Sequence, residues 1–383
     1  MTRRRSPLPV RPERRPEQEA PTPILPVRPE RRPEHPRGPQ STGAAALAFT
    51  LAVLCAGCPD DPACAPGWDA LADDLDRVPL AVQGTAADDV WVVGGGLGLG
   101  GPLVTRWDGA AWRAIDPAGA IDAARSLWWV WPEARARAWV VGEAGTVAHV
   151  DATTTPPTVT DRSTATAATL YGVWASGPDD VWLVGGIANG RRDPEDDLVW
   201  RWDGARLAAV PGVPSRGATL FKVWGAGPDD VWISGEGGTM LHWDGAAFTD
   251  HSRELATPSS VLTVQGCAPD DVWAIAGQGL YHFDGTGWAR RTDVTIGSSS
   301  NGVSCAADRV LVVGNAGVKL SLDRATGQWT DDRRASPTAT DLHGAWLDPA
   351  GRAWAVGGNF NQPGATSRTG VVGLDGCPRP DAF

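Results

Sequence analysis

Residues 220–250 read LFKVWGAGPDDVWISGEGGTMLHWDGAAFTD. Four short apolar runs, 220–224, 231–234, 239–243 and 247–250, are set apart by Gly-Ala-Gly-Pro-Asp-Asp, Gly-Glu-Gly-Gly and Asp-Gly. Runs of this length rich in Val, Trp and Leu, bounded by Gly, Pro and Asp, read as β-strands. Asp-Gly between two of them signals a tight hairpin, because both residues tolerate positive φ. The unit recurs. Residues 170–210 open with LYGVWASGPDDVWLVGG and close with VWRWDGARLAAV, and residues 261–292 read VLTVQGCAPDDVWAIAGQGLYHFDGTGWARRT.

The position held by Trp232 is Trp91, Trp139, Trp182, Trp232, Trp273, Leu311 and Trp354 along the chain, at intervals of 48, 43, 50, 41, 38 and 43 residues. Seven repeats of four antiparallel strands predict an all-β, seven-bladed β-propeller over residues 67–383. An open solenoid would need polar capping units at its ends, and none is visible. The seventh unit stops after Asp375-Gly376 with CPRPDAF, one strand short. Upstream, GWDALADD at 67–74 matches a unit's end, as in DGAAWRAID at 108–116. We expect the segment 67–75 to supply the outermost strand of the last blade and close the ring, pairing an edge otherwise left open.

Before the propeller the composition changes. Residues 1–42 hold ten Arg against five Glu, with a duplicated LPVRPERRPE, and cannot build a core. This disordered leader is either unusually long or the product of a start placed too early, with Val27 as the alternative. Residues 43–57 contain the apolar run AAALAFTLAVLCAG, shorter than the ~20 residues of a membrane-spanning helix and suited to a signal segment. The sequence Leu54-Cys55-Ala56-Gly57-Cys58 resembles the lipobox of bacterial lipoproteins, with Cys55 where that pattern prefers Leu. The resemblance implies lipidation at Cys58 and a membrane-anchored protein of the bacterial envelope; the alternative is a soluble secreted protein. Residues 58–66 form a tether.

An exported chain can keep disulfides. Cys64 precedes the spare strand and Cys377 follows the last one, so closure should join them. Cys267 and Cys305 each lie six residues before their unit's landmark, in neighbouring blades, and are a second candidate pair. Buried free thiols are the alternative for each.

The chain carries −11 overall; without residues 1–57 it has 24 basic against 40 acidic residues, or −16. That argues against nucleic acid and anionic membrane surfaces as partners. The 20 Trp fall into recurring sets, on first strands (Trp174, Trp224, Trp346), on second strands, and before Asp-Gly (Trp107, Trp202, Trp243). Recurrence in blade after blade points to packing rather than to a carbohydrate platform. The pairs Asp88-Asp89, Asp179-Asp180, Asp229-Asp230 and Asp270-Asp271 could bind calcium or act as acid and base. Each follows a turn and precedes an apolar strand, so we expect the side chains to bond their own turns. No zinc spacing, Walker loop or nucleophile elbow occurs, so neither a metal nor a cofactor is expected.

The endings WDGAAW at 107–112, WDGAAF at 243–248 and FDGTGW at 283–288 resemble the Asp-box turn of BNR-type propellers, a group with sialidases and non-enzymatic assembly factors. The Ser or Thr that usually opens an Asp-box is absent. Sialidase chemistry would imply a Tyr nucleophile with an Arg cluster, and the two tyrosines, Tyr171 and Tyr281, fall at repeat positions read as Leu elsewhere.

The Asp-Asp and Asp-Gly turns should share one acidic face. The opposite face carries the variable second–third loops, where binding residues tend to sit. The candidates there are Arg191, Arg192, Asn359, Phe360 and Asn361. The sequence thus reads as a monomeric, non-enzymatic binding or scaffold module for a protein or glycan at the cell envelope, touching membrane only through its lipid. The alternative is a hydrolase or lyase acting on polysaccharide, marked by carboxylates converging on the axis.

Overall fold

The computed structural model describes residues 67–383, save 118, 189–192, 194, 363–365, 368 and 378–382. Seven four-stranded antiparallel sheets follow one another, and the first strand of each packs against the first strand of the next. Blade 1 covers 78–114, blade 2 127–161, blade 3 169–209, blade 4 220–250, blade 5 261–290, blade 6 300–331 and blade 7 341–375. Contact between the first strands of blades 7 and 1 completes the circle. The chain is a seven-bladed β-propeller.

The last blade is finished from the other end of the chain. Trp68–Leu75 pairs antiparallel with Gly370–Asp375, from Trp68↔Asp375 to Leu75↔Gly370, as its outermost strand. Trp68 is buried among Leu311, Val313 and Val371. The expected closing segment does what its resemblance to a unit's end suggests.

Burial explains the strand compositions. Second strands are covered on both sides: Asp89–Gly95 and Ala353–Gly358 are buried at every residue, hence their Val, Trp, Ala and Gly, unbroken after the leading Asp89. Fourth strands such as Phe248–Asp250 are outer edges, short and polar. In blade 4 the strands are Leu220–Gly227, Asp230–Gly235, Met240–Trp243 and Phe248–Asp250. The stretch read as a six-residue separator is mostly strand, because Gly227 pairs with Asp230 across a bulge and only Pro228-Asp229 turns.

The tryptophans stitch blades together. Trp174 reaches over Gly225 of the next blade, Trp224 over Gly266, and Trp346 over Gly84; a Cβ at these glycines would sit 2.7, 2.3 and 2.4 Å from the indole. Third-strand rings pack on the preceding blade's second-strand rings, Trp202 on Trp139 and Trp243 on Trp182, with centroids 5.8 and 5.9 Å apart. The indole N–H groups of Trp91, Trp139, Trp182 and Trp232 have no protein acceptor among the described residues, so their contribution is apolar area.

The Asp pairs correct the expectation of self-bonded turns. Thr85 and Ser176 donate within the turn to Asp89 and Asp180. Asp271 is ion-paired to Arg324 of blade 6, and the partners that recur are third-strand bases: Arg106 for Asp89, Arg201 for Asp180, His242 for Asp230 and His282 for Asp271. Each third-strand base also lies over its blade's tryptophan, Trp91, Trp182, Trp232 or Trp273. The first member of a pair can reach outward: Asp88 takes a two-point bond from Arg135 of blade 2 at 2.7 and 2.8 Å. In the Asp-Gly hairpins the carboxylate does bond its own turn. Asp244 accepts from the N–H groups of Ala246 and Ala247, which hold its carboxyl below the usual range, that of Ala247 most strongly.

Cys267 and Cys305 are joined, with Cα atoms 5.6 Å apart, linking the first strands of blades 5 and 6 near the acidic face. Cys377 is disulfide-bonded. Cys64 and the lipidation candidate Cys58 lie outside the described residues, as do the leader, the signal segment and the tether.

Candidate functional site

Every first strand carries a bulge near its start, at the same place in each blade; those of blades 1–5 carry a second one near their ends. At the shared place the ladder skips one residue between Pro79 and Ala81, Leu127 and Trp129, Leu170 and Gly172, Leu220 and Lys222, Val261 and Thr263, Ser300 and Gly302, and Leu342 and Gly344. The skipped residues are Leu80, Trp128, Tyr171, Phe221, Leu262, Asn301 and His343. A bulge leaves its residue out of the pairing and re-aims the side chain. Here six of the seven are turned into one cavity of about 260 Å³, at the end of the first strands where the chain arrives from the preceding blade.

The walls are rings in edge contact. Phe221 meets Tyr171 with centroids 5.5 Å apart, Tyr171 meets Trp128 at 5.0 Å, Trp128 meets His343 at 5.7 Å, and His343 meets Phe360 at 5.3 Å. Interplanar angles of 65–90° make them edge-to-face, the favoured arrangement for aromatic quadrupoles. Leu262 and Ala188 add aliphatic surface. The backbones beside this ring can approach because the next position is glycine in three blades. A Cβ on Gly172 would lie 3.0 Å from Phe221 O, and one on Gly344 3.0 Å from Leu80 O.

The polar groups are few. Lys222, one of only two lysines in the chain, is 4 % exposed and lines the cavity. Its Nζ donates to Tyr171 O at 2.9 Å and lies 4.0 Å from the centre of the Trp129 ring. Burial pushes its pKa down to about 7, against the opposing pull of the ring face. His343 donates through Nδ1 to Leu80 O at 2.6 Å, which leaves Nε2 as an acceptor. Burial first, and then the Lys222 charge, lower its pKa to about 3. Tyr171 is raised by burial, so its hydroxyl stays protonated. Asn301 donates to Asn315 Oδ1 and Leu342 O, and Asn361 donates to the same Asn315 oxygen. Among the described residues no carboxylate lines the cavity, and no three of His, Cys, Asp and Glu gather as a metal would require.

Of the loop residues singled out from sequence, Phe360 and Asn361 line this cavity. Asn359 does not; its amide donates to Ser367 O and accepts from Thr369 N–H, fastening its own loop. Arg191 and Arg192 lie outside the described residues. Sequence reading missed Trp128, Phe221, Lys222 and His343. It took Tyr171 for a position held elsewhere by Leu, whereas that position is Leu only in blades 1 and 5. The available signal was this position itself, which changes chemistry from blade to blade while its neighbours repeat.

No family model matches the chain, and no curated protein matches it. Solved structures do. Virginiamycin B lyase from Staphylococcus aureus superposes with a TM-score of 0.61 at 12% identity, over 81% of this chain and 99% of that one. YCF48 bound to D1 peptide gives 0.58 at 15%, over 82% and 98%. The extracellular domain of a hybrid two-component system from B. thetaiotaomicron gives 0.56 at 11%, over 79% of this chain; the chain spans 40% of that structure's length. At these identities the likeness is one of fold.

Proposed function

We propose that this protein is an exported, lipid-anchored binding module that captures a protein or glycan at the cell envelope, with the aromatic axial cavity as its site. The observation that carries the reading is the bulge series. Seven equivalent positions hold a side chain out of the ladder, and they differ in chemistry where structural positions repeat. A duty common to all blades would call for one residue type, as at the second-strand tryptophan. A built recess needs different groups from different blades, with a few polar groups among apolar walls.

The hydrolase or lyase alternative lacks its marker among the described residues, where no carboxylate lines the cavity. Propellers of similar fold serve both kinds of work: one is named a lyase, another was solved with a peptide, and a third is an extracellular domain. The last fits an exported chain, as does the apolar run ahead of Cys58. No helix among the described residues is long and apolar enough to cross a membrane.

The test is capture from detergent-solubilised envelope by the native protein and by a Trp128→Ala, Phe360→Ala double variant. Components held by the native protein should be lost from the variant while its melting temperature stays within a few degrees. Equal capture would remove the axial cavity as the site. Cys58→Ser should shift the protein from the membrane to the soluble fraction; continued membrane association would remove the lipid anchor.

A further inference from the structure

Lys222 is a base without an acid. Among the described residues no carboxylate pairs with it; a backbone carbonyl and an indole face are its company. Charged side chains are seldom buried unless paired, because desolvation disfavours the ion. The rest of the molecule makes this one stand out. Buried Arg106 and Arg352 each have a carboxylate against the guanidinium, Asp89 and Asp348. Lys319, the other lysine and also buried, is likewise held by backbone carbonyls, those of Gly317 and Pro337, but the charges of Asp332 and Asp331 act on it; Lys222 has no such charge beside it among the described residues, and it lines the axial cavity.

Accepting the axial cavity as the binding site, we propose that its ligand is a carboxylate carried on an aromatic or apolar body, with Lys222 receiving the carboxylate. An ammonium has three protons. One goes to Tyr171 O and the Trp129 ring covers another side, which leaves a donor for a ligand. The body would lie among Trp128, Tyr171, Phe221 and Phe360. Sugars fit less well, because both N–H donors of Asn301 are engaged, with Asn315 and Leu342 O, and one of Asn361's goes to Asn315. The titratable groups around Lys222 do not compete for its charge: His343 is held neutral, and Tyr171 keeps its proton. Two sources share the required chemistry, a free aromatic acid and the C-terminus of a chain ending in an aromatic residue.

The arrangement has a thermodynamic signature. At pH 8 a lysine with a pKa near 7 is mostly neutral, and a carboxylate beside it favours the ion. Binding should therefore take up a proton.

The experiment is titration calorimetry at pH 8 of the purified protein with N-acetyl-L-phenylalanine, its amide, a tetrapeptide ending in Phe with a free carboxylate, and glucuronate. Each is run in two buffers of different ionisation heat. We expect the acid to bind at least about tenfold tighter than the amide, with uptake approaching one proton. Lys222→Met should bring the acid down to the affinity of the amide and leave the amide unchanged. The proton uptake is read on the native protein, so it stands whether or not the variant folds. Tighter binding of the tetrapeptide assigns the site to a chain terminus, and tighter binding of the free acid to a small molecule. Equal binding of acid and amide, no binding of either, absence of proton uptake, or preference for glucuronate would overturn the proposal. If Trp128→Ala, Phe360→Ala also keeps envelope capture, the axial site falls with it. If capture is lost, only the carboxylate assignment falls.

Discussion

Lys222 and His343 are bases whose folded-state pKa values are depressed, and both leave a mark on stability against pH. For Lys222 the unfolded chain binds the proton up to its ordinary value of 10.5 and the folded chain only up to about 7. Between those limits the unfolded state holds more protons, so raising the pH favours folding, and the effect is flat below about 7. Lys319, pushed down to about 8 by burial, acts the same way over a narrower window. For His343 the window runs from about 3 to 6.5, and its contribution disappears as the pH falls through it. Lowered carboxyls such as Asp108, with Arg113 and its own turn as partners, add an acid-side slope of the same sign. We therefore expect Lys222→Met to flatten the rise of unfolding free energy between pH 7 and 10, and His343→Gln to flatten it between pH 3 and 6.5. Urea titrations across pH check both. An unchanged slope in either variant would mean that the group titrates normally in the fold.

Between adjacent blades the recurring element is a tryptophan laid over a glycine. Gly266→Ala puts a methyl 2.3 Å from Trp224, whose ring is nine-tenths enclosed by two blades and cannot retreat freely. Overpacking of this kind costs roughly 1–3 kcal/mol. Gly177, with nothing within 4 Å of its missing Cβ and a backbone that L-residues adopt, is the control. Gly177→Ala should be neutral or slightly stabilising. Chemical denaturation of the two variants separates steric conflict from the loss of glycine as such; equal midpoints would contradict the interlock. The Cys267–Cys305 link ties a loop of 38 residues between neighbouring blades, worth about 4 kcal/mol in the chain-entropy view. At this scale the repeats were legible in the sequence, since period-two strands and Asp-Gly hairpins are local signals. The bulges were not. The backbone at Phe221 approaches Gly172 of the preceding blade, and that at Leu80 approaches Gly344, close contacts between blades that no single repeat displays. The pairing of Asp230 with His242 was hidden for a similar reason: the partners are 12 residues apart and meet only when second and third strands are in register. Phe360 and Asn361 were found because a long loop on a rigid scaffold is itself a local signal.

Ring closure is the property of the whole molecule, and it rests on eight residues. Trp68–Leu75 covers Gly370–Asp375, whose outer backbone groups would otherwise face solvent as an open edge. Asp375 is further tied to Arg309 of blade 6 at 2.7 Å, and Arg352 donates to Ala87 O of blade 1, so blade 7 is fastened on both flanks. Removing the closing strand takes away one edge of pairing and the burial of Trp68, a large apolar loss of roughly 3–5 kcal/mol by analogy with Trp truncation in cores. It also leaves a strand edge able to recruit another chain. A protein lacking residues 68–75 should melt at least several degrees lower and associate as its concentration rises, by light scattering. A peptide of residues 67–77 added in excess should restore the monomer and recover part of the melting temperature, by an amount that grows with the logarithm of peptide concentration. A truncated protein that stays monomeric with an unshifted melt would show that six complete blades and a three-stranded seventh hold the circle alone. Closure by the first strand would then be an accessory to the fold.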